Sequence, residues 1–135
     1  EYGATTGRPR RCGWFDLLTV KHAVRLNSLT HLIITKLDVL SGIETIKVCT
    51  GYRCRGRVVN EFPTNFPVLA DCAPEFEELE GWSEDLSCMT EYDQLPQAAK
   101  KYIAYIEEKT GVPVSMVSVG TRRDQIITRI NPFDS

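Results

Sequence analysis

Apolar and polar residues change period several times along this chain, and each change marks an element. In "FDLLTVKHAVRLNSL", Leu17, Val20, Ala23, Val24 and Asn27 recur at helical spacing, with Asp16 where an N-cap side chain belongs, so a helix is predicted. "HLIITKL" is an apolar β-branched run, too short for a helix and suited to a buried strand. "ETIKVCTGY" sets Ile46, Val48 and Thr50 against Lys47 and Cys49, the alternation of a half-buried strand. "RGRVVNEF" is its expected hairpin partner, with Gly56 in the turn. In "QLPQAAKKYIAYIEEKTG", Ala99, Tyr102, Ile103 and Ile106 share a helical face, and Gly111 with Pro113 stops it. "VPVSMVSV" and "DQIITRI" read as two more strands, whereas Pro63 to Asp93 reads as mostly loop with room for one short strand. Helices alternating with apolar strands define an α/β layer architecture with an inserted antiparallel hairpin.

Composition narrows the class. The chain has 135 residues, 42% hydrophobic and 25% charged, which is one globular domain able to bury a core. No apolar run reaches the roughly 18 residues a membrane span needs, and no secretory signal is visible, so a cytoplasmic protein without a membrane partner is expected. The chain opens at Glu1 without an initiator Met, and a part of a longer protein is expected. A net charge of −2 argues against a nucleic-acid partner. It hides an asymmetry: Glu1 to Arg25 holds five Lys or Arg against two acids, while Asp71 to Asp93 holds nine acids and no Lys or Arg. The acidic run reads as a solvated surface. Cys12, Cys49, Cys54, Cys72 and Cys88 are an odd set without a secretion signal and read as reduced thiols. Zinc is rejected because Cys49, Cys54, Cys72 and Cys88 lack the paired two-residue knuckles, and no metal site is assigned.

Three stretches carry candidate chemistry. "TKLD", Thr35 to Asp38, stands at the end of an apolar strand, where ligands bind in α/β sheets. An ionised Asp accepts two hydrogen bonds side by side, and guanine presents two adjacent donors on its pairing edge. A Lys stem can lie along the base plane, so Lys36, Leu37 and Asp38 have the form of a guanine-specificity motif. "SVG", Ser118, Val119 and Gly120, also ends a strand and can offer backbone N–H groups to a base carbonyl, with Gly120 permitting close approach. "ATTGRPRR", Ala4 to Arg11, combines Thr5 and Thr6 hydroxyls, the freedom of Gly7, the fixed torsion of Pro9 and the planar forks of Arg8, Arg10 and Arg11. It reads equally as a solvated basic loop or as a cradle for carboxylate or phosphate. No nucleophile–base pair is apparent, since nothing orients Cys12 or His22.

Taken in order, "EYGATTGRPRRCGWFD", "IITKLDVL", "GWSEDL", "LPQAAKKYIAYIEEKTGVPV" and "SVG" resemble the adenylosuccinate synthetase family over nearly the whole chain, least from Thr50 to Ala73. The closing "NPFDS" is similar to that family's C-terminus, so residues 1–135 are expected to be the C-terminal region of a P-loop-type α/β enzyme with a central, mostly parallel sheet. The resemblance implies a GTP-dependent ligase that joins IMP and L-aspartate, using Mg²⁺ and forming adenylosuccinate, GDP and phosphate in AMP biosynthesis. Residues Ala4, Thr5, Thr6, Gly7, Arg8, Pro9 and Arg10 would form the aspartate loop, with Arg8 reaching IMP and Arg10 reaching GTP. Lys36, Leu37 and Asp38 with Ser118, Val119 and Gly120 would hold guanine. A homodimer is implied for the whole protein. The phosphate loop, the catalytic residues and the Mg²⁺ ligands of the family lie outside this sequence, so the chain alone is expected to be inactive. Pro9 departs from a basic residue often seen in the family, and Val119 from a Thr. A non-catalytic guanine-nucleotide-binding or interaction module is the alternative.

Overall fold

Asp16 is where the chain first becomes regular. The computed structural model describes residues 2–3 and 5–131, except for the side chains of Phe66 and Pro67. Strand β1 (Phe15–Asp16) runs directly into helix α1 (Leu17–Asn27). One oxygen of Asp16 accepts hydrogen bonds from the Leu18 and Thr19 amides at 3.0 and 3.1 Å, which is the expected N-cap. Its other oxygen accepts a hydrogen bond from the Tyr52 hydroxyl, so one carboxylate fastens the helix start to a distant strand.

Strand β2 (Leu32–Ile34) and a 3-10 turn (Leu37–Leu40) follow, then the long strand β3 (Ile43–Cys54). The remaining order is β4 (Arg57–Val59), α2 (Phe66–Ala70), β5 (Cys72–Trp82), a second 3-10 turn (Tyr92–Gln94), α3 (Gln97–Thr110), β6 (Val114–Ser118) and β7 (Ile126–Thr128). β3 is the spine of the first sheet. β5 pairs antiparallel along it from Ile43–Trp82 to Cys54–Cys72. β1, parallel at Phe15–Val48 and Asp16–Cys49, and β4, antiparallel at Tyr52–Val59 to Cys54–Arg57, share its other edge. The second sheet has the order β2-β6-β7, with β2 parallel and β7 antiparallel to β6. The fold is therefore mixed α/β, as the sequence indicates, with an antiparallel part larger than one hairpin.

Helix α3 joins the two sheets. Its predicted face, Ala99, Tyr102, Ile103 and Ile106, is buried against Ile46, Val48 and Trp82 of the first sheet and Val114, Val117 and Ile127 of the second. Gly111 ends it in the left-handed region at φ 71°, and its N–H donates to Glu107 O.

Four expectations are corrected. The acidic stretch is not mostly loop, because residues 72–82 form the eleven-residue strand β5. Its acids also do more than meet solvent. Glu78 pairs with Lys47 directly across the ladder at 3.1 Å, Glu75 with Arg53 at 2.6 Å, and Glu77 accepts from Tyr105 at 2.6 Å. The cysteines are not all thiols. Cys54 and Cys72 face each other in register and form a disulfide, leaving Cys12, Cys49 and Cys88 free. Ile33 is 58% exposed, because β2 is an edge strand among the described residues and one of its faces is open.

Replacing Tyr52 by Phe should cost about 1.5–3 kcal/mol in a urea titration, the worth of a hydrogen bond to a charged acceptor. Burial first, and the bond to Asp16 second, push the Tyr52 phenol from 10 up to about 12, and burial also pushes Tyr102 up to about 12. A raised phenol pKa means that the fold favours the neutral form. Its contribution is full below pH 10 and is lost as pH rises from 10 to 12. Unfolding titrations across that window should show a shallower decline for Tyr52→Phe than for the native chain.

Candidate functional site

The opening loop is a closed structure rather than a tail. Tyr2 and Pro9 form an antiparallel bridge, Gly3 N–H donates to Arg8 O at 2.8 Å, and Gly7 N–H donates to Gly3 O at 2.9 Å. Gly7 sits at φ 64°, the left-handed region that glycine enters without strain. Pro9 also fits. In this bridge the hydrogen bond joins the flanking Gly3 and Arg8, so the nitrogen of Pro9 is not called on to donate. Thr5, Thr6, Arg8, Pro9 and Arg10 are exposed, and Gly3, Thr6, Arg8, Pro9 and Arg10 line a hollow of about 380 Å³. Ala4 lies outside the described residues. The exposed guanidinium groups lose little entropy of the backbone on meeting an anion, because the loop carrying them is already fixed by its own amides.

The second group lies at the other sheet. β2 and β6 are parallel neighbours with Ile34 opposite Val117, so the segments that leave them, Thr35–Asp38 and Ser118–Gly120, emerge at the same end. The turn Leu37–Leu40 also packs against β6. Leu37 is 1% exposed and anchors this corner in the core, while Lys36 and Asp38 on either side of it are half-buried. Lys36 adopts φ 59°, ψ 42°, a left-handed conformation that costs a non-glycine residue about 1 kcal/mol or more. Asp38 Oδ1 is a buried side-chain oxygen that makes no hydrogen bond among the described residues. Buried acceptors are nearly always satisfied, and leaving one unpaired costs about 1–3 kcal/mol.

In the facing turn, Val119 is fully buried through its side chain, and its N–H donates to Gln125 O at 3.0 Å. Ser118 Oγ donates to Gly120 O at 3.0 Å. The space in front of Gly120 is filled by the Gln125 amide, whose Oε1 would lie 2.1 Å from an added Cβ. Sequence reasoning passed over Gln125, since a polar residue beside a strand carries no signal. The two groups occupy different sheets, the loop leading into β1 and the strand-end group following β2 and β6. Cys12 and His22 are engaged apart, Cys12 Sγ with Arg10 O at 3.6 Å and the His22 ring against Phe62 at 5.2 Å. Among the described residues no three His, Cys, Asp or Glu side chains gather to hold a metal.

A layered α/β fold with polar groups beyond the carboxyl ends of parallel strands is the architecture of nucleotide-handling enzymes. The model of one such family, adenylosuccinate synthetase, matches residues 1–127, and the chain belongs to that family. It is 55% identical over 133 residues to the adenylosuccinate synthetase of Trichlorobacter lovleyi, covering 98% of this chain and 31% of that protein. It is 52% identical over 135 residues to that of Geotalea daltonii, covering 100% of this chain and 31% of that protein. The structure of fully ligated adenylosuccinate synthetase from Plasmodium falciparum superposes with a TM-score of 0.87 at 38% identity, over 96% of this chain and 31% of that one. The chain thus spans about a third of the length of these relatives.

An unpaired buried oxygen weakens the unliganded protein. Asp38→Ala should therefore raise its stability by about 1 kcal/mol in chemical unfolding, a gain that accompanies loss of a binding group. A fall in stability of similar size would mean that Asp38 is a structural residue.

Proposed function

We propose that this chain supplies the aspartate-holding loop and the guanine-reading pocket of a GTP-dependent ligase that joins IMP to L-aspartate. The observation that carries the reading is Asp38 Oδ1, a buried acceptor without a partner at a strand end, beside the end of the parallel neighbour. Guanine offers two adjacent N–H donors that would satisfy both Asp38 oxygens, and adenine would leave one unpaired. Lys36 would lie along the base, and the Ser118–Gly120 turn would meet the base carbonyl. Family membership supports the same assignment.

In the proposed reaction the N1 proton of IMP is lost to a base outside this chain as the γ-phosphoryl group of GTP passes to the 6-oxygen, releasing GDP. The aspartate amine then attacks C6, the C–O bond breaks, phosphate leaves, and the amine gives up a proton to form adenylosuccinate. Thr5, Thr6 and Arg8 would hold the two aspartate carboxylates, Arg8 would also reach the IMP ribose, and Arg10 would face GTP. Their work is positioning: two polyanions and a dicarboxylate must be held together, and cationic forks on a pre-shaped loop offset that repulsion. In the same reading Mg²⁺ would neutralise phosphate charge in the whole enzyme, held by ligands outside residues 1–135. A cytoplasmic homodimer is part of the same reading. Among the described residues no helix is long and apolar enough to cross a membrane.

The test is adenylosuccinate formation by the full-length parent protein. Arg8→Leu should raise the KM for aspartate or lower kcat by at least 10-fold, since one charged contact of about 1.4 kcal/mol is a factor of ten. Normal aspartate kinetics would remove the loop from this role. Asp38→Asn should relax the preference for GTP over other nucleoside triphosphates, and an unchanged preference would sink the guanine reading.

A further inference from the structure

The residue that shapes the Ser118–Gly120 turn lies outside it. Between β6 and β7 the chain reverses over residues 119–125, and Gln125 bonds this reversal four times. Its carbonyl accepts from Val119 N–H at 3.0 Å and its N–H donates to Arg122 O at 3.2 Å. Its side chain folds inward, Oε1 accepting from Arg122 N–H at 3.0 Å and Nε2 donating to Ser87 O at 3.0 Å. Ser87 follows Leu86, which is 0% exposed, so this last bond ties the turn to the core of the molecule.

Between those two bonds the amide plane lies against Gly120. A Cβ at that position would come within 2.1 Å of Oε1, 2.3 Å of Cδ and 2.6 Å of Nε2. A side chain at residue 120 would have to displace the Gln125 amide from its bonds to Arg122 and Ser87. The consequence for binding concerns direction. Val119 N–H is consumed by Gln125 O, whereas Gly120 N–H makes no hydrogen bond among the described residues. The peptide that carries the Gly120 N–H lies between two held groups, Val119 N–H, which donates to Gln125 O, and Gly120 O, which accepts from Ser118 Oγ. A hydrogen bond weakens steeply when its donor is turned away, so fixing this peptide fixes what its N–H can reach.

We propose that Gln125 is a positioning residue for the nucleotide base: it clamps the turn so that the Gly120 N–H is presented to the 6-oxo group of guanine. The proposal rests on the guanine reading above and adds to it the residue that sets the donor's direction.

Steady-state kinetics of the full-length enzyme with Gln125→Ala should show a KM for GTP raised about 10-fold, the worth of one hydrogen bond at about 1.4 kcal/mol. The KM values for IMP and aspartate should stay within about twofold, which general loosening of the fold would not spare. Gln125→Glu keeps the acceptor for Arg122 N–H but sets a carboxylate oxygen against Ser87 O, and an intermediate rise is expected. It also provides a folded variant if Gln125→Ala is unstable. The decisive probe is the triphosphate of 6-thioguanosine, which keeps both donors for Asp38 and replaces the 6-oxo acceptor by a larger and weaker sulfur acceptor. The native enzyme should favour GTP over it, and Gln125→Ala should erase most of that difference. Equal weakening toward GTP and the analogue, or no change in either variant, overturns the role of Gln125. If Asp38→Asn alters nucleotide preference while the Gln125 variants behave as native, the Gln125 proposal alone fails. If Asp38→Asn leaves preference unchanged, the guanine reading fails and this proposal falls with it.

Discussion

The parallel pairing of β2 with β6 is the constraint on which the strand-end site depends. Two strands that run the same way release their following segments at the same end, so Asp38 and Gly120 emerge as neighbours although 82 positions separate them in sequence. An antiparallel pair would send them to opposite ends. The register is held by more than the ladder. Ser115 is a buried polar side chain in the core, and its hydroxyl donates to Leu32 O at 3.2 Å, while Leu32 N–H donates to Pro113 O at 2.9 Å. A slip by one residue would strand that hydroxyl in an apolar setting and turn the faces of β6 over.

With the corner so fixed, local costs can persist there. Leu37 is held in the core, so the chain on either side of it has little freedom, and Lys36 remains in a left-handed conformation that an unconstrained chain would leave. The unpaired Asp38 oxygen is a second cost at the same place. Unfavourable backbone and unfavourable polar burial on the two sides of Leu37 mean that the fold here is shaped for something besides its own stability.

The elements with a strong period were legible in the sequence, and those fixed by a partner were not. α1, α3, β3 and β6 follow from the spacing of their own apolar residues, and the Asp16 cap from its position. β5 escaped because Glu75, Glu77, Glu78 and Glu80 leave little apolar signal; it is a strand because β3 offers Lys47 and Arg53 across the ladder. The Cys54–Cys72 disulfide escaped for the same reason, since the two residues become opposite only in the β3–β5 register. The site divides likewise. Lys36, Asp38 and Gly120 were visible as residue types at strand ends, whereas Gln125 acts through Ser87, 38 residues away. Pro9, a departure in the family pattern, is accounted for by a bridge that asks nothing of its nitrogen.

The two site groups sit on separate sheets, so their separation is only as well defined as the joint between those sheets. That joint is α3. Tyr102 meets Phe15 edge-on at 6.5 Å and lies 6.0 Å from Trp82, which places it beneath β1, where the opening loop enters the fold. In the same core cluster Ile103 and Ile106 join Val114 and Val117 of β6, beneath the strand-end corner. One helix face thus carries both groups. Close-packed cores resist compression and transmit displacement, so a shift of α3 would move the loop and the corner relative to each other instead of being absorbed. For the proposed reaction, whose partners must meet at about 3 Å, that makes the apolar residues Tyr102, Ile103 and Ile106 part of the geometry of the site.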